Sequence, residues 1–426
     1  MSVTLTCRVT LLCLAAVYGT ASFAQTISTS DQITLNLDAA VARTFQSNPR
    51  LIAFGYQIHA QQGRLQQSEL KPNLQLGLLV ENALGSGDFE GIDSAETTLS
   101  LAWVLERGKR ERRIDAARAG VSLLETEAEI QRLDAAAETA RVFLDTLALQ
   151  ERLIRTDDAV MLAEQTAAAV QKRVQAGRTP AADLARAEAE LARMRLDRED
   201  IEHELRTAHR RLSAQWGEIQ PDFARVSGDV HQLPAPDAYE SLLARLEQNP
   251  DLSRYLNEKR LREAELRLAK ARAKPNWQLT AGIRRLERSD DQAFVAGITI
   301  PLTTRNRNQG RVSEARARLA MTDADRVATR VQIETQLFAL YQELQYSLHR
   351  AATIREEILP RIEQALEDTE RAYAAGRYGY LELRVVQAEL LDTRTALVES
   401  SIDAHRHIIE IERLTGTTVT SSVTHP

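Results

Sequence analysis

Residues 71–76 read KPNLQL and residues 274–279 read KPNWQL, so a chain built largely from Ala, Leu, Glu and Arg stops twice at one tripeptide, 203 positions apart. Proline has no amide hydrogen and drives the residue before it toward extended backbone, so each Lys-Pro-Asn ends the helix before it. Beyond each stop the residues alternate. Leu74, Leu76, Leu78 and Val80 interleave with Gln75, Gly77, Leu79 and Glu81, and Trp277, Leu279, Ala281 and Ile283 repeat the pattern. A period of two predicts a strand with unlike faces. The loops GSGDFEG (85–91) and ERSDDQ (287–292) lead into Leu99, Leu101, Trp103 and Leu105, and into Phe294, Ala296, Ile298 and Ile300, so each stop opens a β-hairpin.

The hairpins belong to a longer repeat. AAVARTFQSNPRL (39–51) pairs with SLLARLEQNPDL (241–252), AARA (116–119) with EARA (314–317), and the AGR and AEL segments at 176–178 and 189–191 with those at 375–377 and 388–390. The offsets of 201, 203, 198 and 199 predict two units, with the drift placed in connecting loops. Residues 121–176 contain no Gly or Pro, enough helix to run about 84 Å. Residues 311–359 are also free of breakers until Pro360, where a kink is predicted about 24 Å before the Gly376 turn. After each Ala-Gly-Arg turn, apolar positions step by three and four. The first seam is Leu184, Ala187, Leu191, Met194, Arg198, Ile201, Leu205, Ala208 and Leu212, and the second is Leu383, Val386, Leu390, Thr393, Leu397, Ser400, Ala404, His407 and Ile411. Both seams predict antiparallel coiled-coil hairpins.

The resulting organisation is a secretory signal over 1–24, a first repeat over 25–216 with its hairpin at about 74–105, and a linker over 217–236. A second repeat covers 237–416 with its hairpin at about 277–303, and a tail covers 417–426. Arg8, the apolar run Val9 to Tyr18 and Ser22-Phe23-Ala24 carry the signal reading. Cys7 and Cys13 both lie within it, so the exported chain has no thiol nucleophile and no disulfide. A charge of −6 with 27% charged residues of both signs leaves no nucleic-acid footprint. No phosphate-binding glycine loop occurs, and His405 and His407, two apart on a helix, face different ways. No catalytic residue, metal ligand or cofactor is predicted.

Four two-faced strands leave two unpaired edges, and lipid tolerates none. Two chains would supply eight strands and three would supply twelve; the larger number surrounds water rather than packed side chains, so a trimer is expected. Trp103 and Trp277 fall at the helix-side rim, either as interfacial anchors or as caps on a soluble core. The basic runs ERGKRERR (106–113) and RNRNQGR (305–311) lie just beyond, either against anionic headgroups or as solvated helix starts.

The duplicated Asn-Pro helix, Lys-Pro-Asn hairpin, long helix and glycine-turn helix resemble the TolC-type outer-membrane efflux proteins over nearly all of 35–416. ERGKRERR and IPLTTRNRNQGRVSEARA (300–317) are similar to the heavy-metal, cobalt-zinc-cadmium branch, although its proline-leucine-proline is Pro301-Leu302-Thr303 here. The resemblance implies a mainly α fold with a membrane β-barrel contribution: a homotrimer with a twelve-stranded barrel in outer-membrane lipid, on a twelve-helix tunnel across the periplasm. It implies a periplasmic adaptor and an inner-membrane RND-type pump as partners, and passive export of divalent heavy-metal cations. Gly177, Arg178, Gly376 and Arg377 would meet the adaptor. Asp183, Tyr373 and Glu382 fall at gate or constriction positions, while the family's partner arginine is Tyr378 and its second inward acid is Val385. The competing readings are a channel for organic drugs or secreted polypeptides, and a secreted coiled-coil interaction protein that never enters a membrane.

Overall fold

A computed structural model describes residues 34–302 and 308–416; the signal segment with Cys7 and Cys13, Arg305 and Arg307, and the tail 417–426 lie outside the described residues. The chain opens with the short strand β1 (Thr34–Leu35) and helices α1 (Leu37–Ser47) and α2 (Pro49–Glu69). Strands β2 (Gln75–Glu81) and β3 (Glu96–Leu105) precede the long helix α3 (Lys109–Gln175) and its return α4 (Ala181–Ser213). Beyond β4 (Arg225–Val226) come α5 (Tyr239–Arg245), α6 (Pro250–Arg272), β5 (Trp277–Leu286) and β6 (Asp291–Thr299). Then α7 (Gln309–Thr353), a π-helical turn (Ile354–Ile358), α8 (Leu359–Ala374) and α9 (Tyr380–Thr415) complete the chain. Helix, hairpin, long helix and return helix thus occur twice in the same order.

Each Asn-Pro pair starts a helix and clasps another. Asn48 Oδ1 accepts from the amides of Arg50 and Leu51 at 2.8 and 3.1 Å, and its Nδ2 donates to Gln215 O at 2.7 Å, just past α4. Asn249 likewise accepts from Leu252 N at 3.1 Å and donates to Leu414 O near the end of α9. Pro49 and Pro250 occupy first-turn positions, where a missing amide hydrogen is harmless.

The strands form one antiparallel sheet in the order β2-β3-β5-β6. The hairpins join through β3 and β5, with Trp103 opposite Leu279 and Leu105 opposite Trp277. Register sorts the side chains into two faces, because directly opposed residues project the same way. Leu76, Leu101, Ile283 and Phe294 lie on one face; Gln75, Ser100, Thr280 and Gly297 lie on the other. Leu76 is 71% exposed and Phe294 75%, so the apolar face has no cover among the described residues. Gly282 permits the central pairing: a Cβ there would stand 2.5 Å from Leu99 O and 2.9 Å from Ser100 Cα. β2 has seven residues, fewer than the predicted hairpin allows, and β6 begins at Asp291, so the second loop shrinks to 287–290.

α3 runs 67 residues, about 100 Å, and starts twelve residues before the predicted breaker-free stretch. Gly120, the expected boundary, sits buried within it. A Cβ there would lie 2.6 Å from Gln61 Nε2, so the missing side chain lets α2 approach closely, and that packing offsets the usual helical penalty of glycine. α3 packs on α1, α2, α4, α6 and α9. Midway, Phe143, Leu144, Leu147, Leu212, Trp216 and Ile409 anchor one core, while Leu337, Leu344, Leu246, Ile408 and Ile411 anchor the second. Arg198 leaves its seam to pair with Asp157 at 2.6 Å and Glu202 at 2.9 Å.

The linker is not featureless: β4 pairs in parallel with β1, and the Gln150 amide serves its other side, donating to Val226 O at 2.9 Å and accepting from Val226 N at 2.8 Å. His405 is buried, with Nε2 donating to Val230 O at 3.2 Å, and burial lowers its pKa below the ordinary imidazole value. His407 points elsewhere, 3.6 Å from Glu343.

At Pro360 the expected kink takes a specific form. The π-helical turn precedes it, with the Leu359 amide donating to Ile354 O, five residues back. Leu337, Leu344 and Ala351 recur every seven residues on the packed face; then come Leu359, Leu366 and Tyr373, so one step is eight and Ile358 is extruded. The twin-segment offset rises from 198 to 199 across this stretch. That insertion therefore lies inside a helix, not in a connecting loop.

Asn249→Ala removes both a helix cap and the partner of a buried carbonyl, and is expected to destabilise the fold by about 2–3 kcal/mol, read as a shifted denaturation midpoint. Gly282→Ala is expected to destabilise the sheet by about 1–3 kcal/mol and lower the β content recovered on refolding, read by circular dichroism. Gly297→Ala, with open space around its added carbon, leaves that content unchanged.

Candidate functional site at the hairpin tips

The two helical hairpins end side by side. At the first tip Gly177 takes φ +67°, and the Arg178 amide closes back on Arg173 O at 2.9 Å; at the second Gly376 takes φ +77°, and the Arg377 amide bonds Ala372 O at 2.9 Å. A left-handed residue lets the last carbonyls of a helix find amides as the chain reverses, which explains glycine at both positions. Gly177, Arg178, Gly376 and Arg377 are all exposed there.

Behind the turns, Val170 of α3, Ala187 of α4, Tyr373 of α8, and Tyr380 and Leu383 of α9 share a small core. Arg173, absent from the residues singled out by sequence, ties the hairpins together. Its guanidinium lies 4.5 Å from the Tyr373 ring centroid, Nη1 donates to Tyr373 O at 2.5 Å, and Nε donates to Thr179 Oγ1 at 3.3 Å. One cation thus engages both tips. Nothing in the sequence distinguishes it among so many helical arginines; its position four residues before the tip glycine is the only signal.

Tyr373 is buried, and its hydroxyl has no hydrogen-bond partner among the described residues. Burial pushes its phenol pKa up, Arg173 opposes, and the Asp183 charge adds to the rise. Tyr380 is raised in the same way, first by burial, with Arg384 opposing. Asp183 therefore acts on both tyrosines through its field, and lies 3.7 Å from Arg186. Glu382 is already engaged: its Oε2 accepts from the Gly379 amide at 3.0 Å, capping the start of α9. Tyr378 and Val385, which replace the family's arginine and second acid, are exposed at 49% and 55%. Above the tip a groove of 390 Å³ runs between α4 and α9 over α3, crossed by Arg384 paired with Glu190 at 2.9 Å.

At the other end of the molecule Trp103 and Trp277 lie on the apolar face of the sheet, near the helices. The basic run beside them is committed within the chain. Arg107 stacks 4.5 Å from the Trp277 ring centroid, Arg110 donates to Glu69 O at 2.7 Å, and Arg113 donates to Ser68 O and Leu70 O at 3.1 Å each. Arg110 and Arg113 satisfy the carbonyls at the end of α2, a third role beside headgroup contact and a solvated helix start. Among the described residues no group of three or more His, Cys, Asp or Glu side chains is placed to hold a metal ion, and no helix is long and apolar enough to cross a membrane.

Comparison with known proteins agrees with this architecture. The family model described as outer membrane efflux protein matches residues 26–218 and 243–417. The cobalt-zinc-cadmium resistance protein CzcC of Cupriavidus metallidurans is 27% identical over 90% of this chain and 90% of its own length. The nickel and cobalt resistance protein CnrC of the same organism is 25% identical over 64% of this chain and 66% of its own. Among solved structures, the outer membrane protein VceC of Vibrio cholerae superposes with a TM-score of 0.73 at 20% identity, covering 90% of this chain and 96% of VceC. With a family model spanning both halves and a shared fold along most of its length, this chain belongs to the outer membrane efflux protein family, whose members are passive channels of the outer membrane rather than enzymes.

Proposed function

We propose that three copies of this chain close their sheets into a twelve-stranded barrel in the outer membrane, on a twelve-helix tunnel that crosses the periplasm and conducts divalent heavy-metal cations outward. The observation that carries this reading is the sheet itself: four strands, apolar and uncovered on one face, with both outer strands β2 and β6 lacking a second partner among the described residues. Lipid requires that such edges close, and further copies of the same sheet supply matching edges. Exposed leucines on a pleated face argue against a coiled-coil protein that stays in water. The domain boundaries of this reading are the units 25–216 and 237–416 about the linker 217–236.

Energy comes from partners, a periplasmic adaptor and an inner-membrane pump of the RND type. The adaptor meets Gly177, Arg178, Gly376 and Arg377, whose exposure at the tips supports the assignment. Asp183, Tyr373 and Glu382 form the constriction, and Arg173 holds the two hairpins of one chain together where the family arginine is Tyr378. Trp103 and Trp277 anchor the barrel at the inner interface. Metal as cargo rests on likeness to proteins named for cobalt, zinc, cadmium and nickel resistance. A conduit needs no tight metal site, since slow release would limit flux.

In planar bilayers the purified protein is expected to form channels, and Arg173→Ala to raise open conductance several-fold, with Arg173→Lys intermediate because the ammonium keeps the charge but not the fork. No channels from wild type, Arg173→Ala or Asp183→Asn/Glu382→Gln would reject the conduit. In cells, deletion is expected to sensitise growth to zinc, cobalt or cadmium salts more than to dyes and detergents. Equal sensitisation to both classes would reject metal as the cargo.

A further inference from the structure

The opposite face of the sheet mixes polar residues such as Gln75, Ser100, Gln278 and Thr280 with small and apolar ones such as Leu79 and Val295, and it is charged only at the end remote from the helices. There Glu81, Glu96, Arg284 and Asp291 project on one side, by the same register that puts Thr98 opposite Arg284. Arg284 reaches across three strands. From β5 its Nε donates to Thr98 Oγ1 at 2.9 Å and its Nη1 to Glu96 Oε2 at 2.8 Å on β3, while Nη2 donates to Glu81 Oε2 at 3.1 Å on β2. Asn82 Nδ2 holds the other Glu96 oxygen at 3.0 Å. Among these four strands, three carboxylates to one guanidinium leave a formal charge of −2 on this face.

We infer that Arg284 and its carboxylate partners set the charge selectivity of the outer mouth. The inference rests on the barrel reading above, which turns this face toward the water-filled lumen and repeats the cluster threefold around one opening. An excess of fixed carboxylates in a confined aqueous mouth raises the local concentration of cations and lowers that of anions. Carboxylates alone would also chelate: Glu81 and Glu96 both reach one guanidinium, so without it they are close enough to share a divalent cation, and an ion held there leaves slowly. Arg284 occupies that position permanently. It leaves the net negative field in place while denying the cargo a resting site, so cations are admitted and released. It also cross-braces β2, β3 and β5 at the rim.

The test is bilayer recording in an Asp183→Asn/Glu382→Gln background, so that charges at the tip do not dominate the reading. Reversal potentials in a potassium chloride gradient give the cation-to-anion permeability ratio. Glu81→Gln/Glu96→Gln, which keeps side-chain size and hydrogen bonding, is expected to lower that ratio by about threefold or more at 0.1 M salt, and by much less at 1 M, where the screening length falls from about 10 Å to about 3 Å. Arg284→Gln is expected to raise the ratio and to make the potassium current sensitive to block by added cadmium chloride. A purely bracing role moves stability and not the salt-dependent ratio. Channels whose ratio is the same in the background and in Glu81→Gln/Glu96→Gln overturn this inference and leave the conduit intact; absence of channels in every variant overturns the conduit and this inference with it.

Discussion

A backbone amide in hydrocarbon must find a carbonyl, and that requirement governs how this chain is used. Its sheet has one face of leucine, tryptophan, isoleucine and phenylalanine, and two outer strands that have no second partner among the described residues. The apolar face asks for lipid, while the open edges forbid it until they are paired. The proposed barrel would satisfy both, and its closure would be a property of an assembly. The strands are also the part least stabilised within one chain, since the buried cores lie elsewhere, along the helices.

Those helices hang on α3. It packs against the return helix of its own hairpin and against helices of both halves, so the two units share one spine about 100 Å long. Load passes between sheet and spine through short polar links: Arg110 and Arg113, in the first turns of α3, hold the carbonyl end of α2, and Arg107 covers Trp277 at the foot of β5. At the waist Asn48 and Asn249 fix α4 and α9 where each finishes. Arg413 ties α9 to α3 and α6 through Asp134 at 2.5 Å and Asp251 at 2.8 Å. Arg173 makes the corresponding link at the tips. Charged side chains thus act mostly as joints between elements.

Much of the fold was legible because its signals are periodic or punctuating. Lys-Pro-Asn marked both helix ends, alternation marked all four strands of the sheet, and the glycine turns marked both tips. The rest depended on contacts between distant segments. Gly120 reads as a breaker until α2 is seen lying against it, and β1 with β4 are too short to carry a pattern. Ring orientation separated His405 from His407, where the heptad alone put His407 in the seam. At the tip, resemblance singled out Asp183, Tyr373 and Glu382, but Arg173 lies on the other hairpin from Tyr373 and meets it only in three dimensions. Glu382 was read from the resemblance as a constriction position, and its bond to the Gly379 amide at the start of α9 is visible only as geometry.

The extra residue at Ile354–Ile358 makes the two halves mechanically unlike. The first hairpin descends on an unbroken α-helix, whereas the second has a joint several turns above its tip, where one amide reaches five residues back and the ladder is loosened. Bending stiffness is therefore lower at Ile354–Ile358 than in the matching part of α3. In the trimer proposed above, stiff and jointed struts would alternate, and the sixfold likeness of the hairpins would resolve into threefold order. Any inward load at the mouth would then be taken up by every second strut, while its neighbours kept the wall in place.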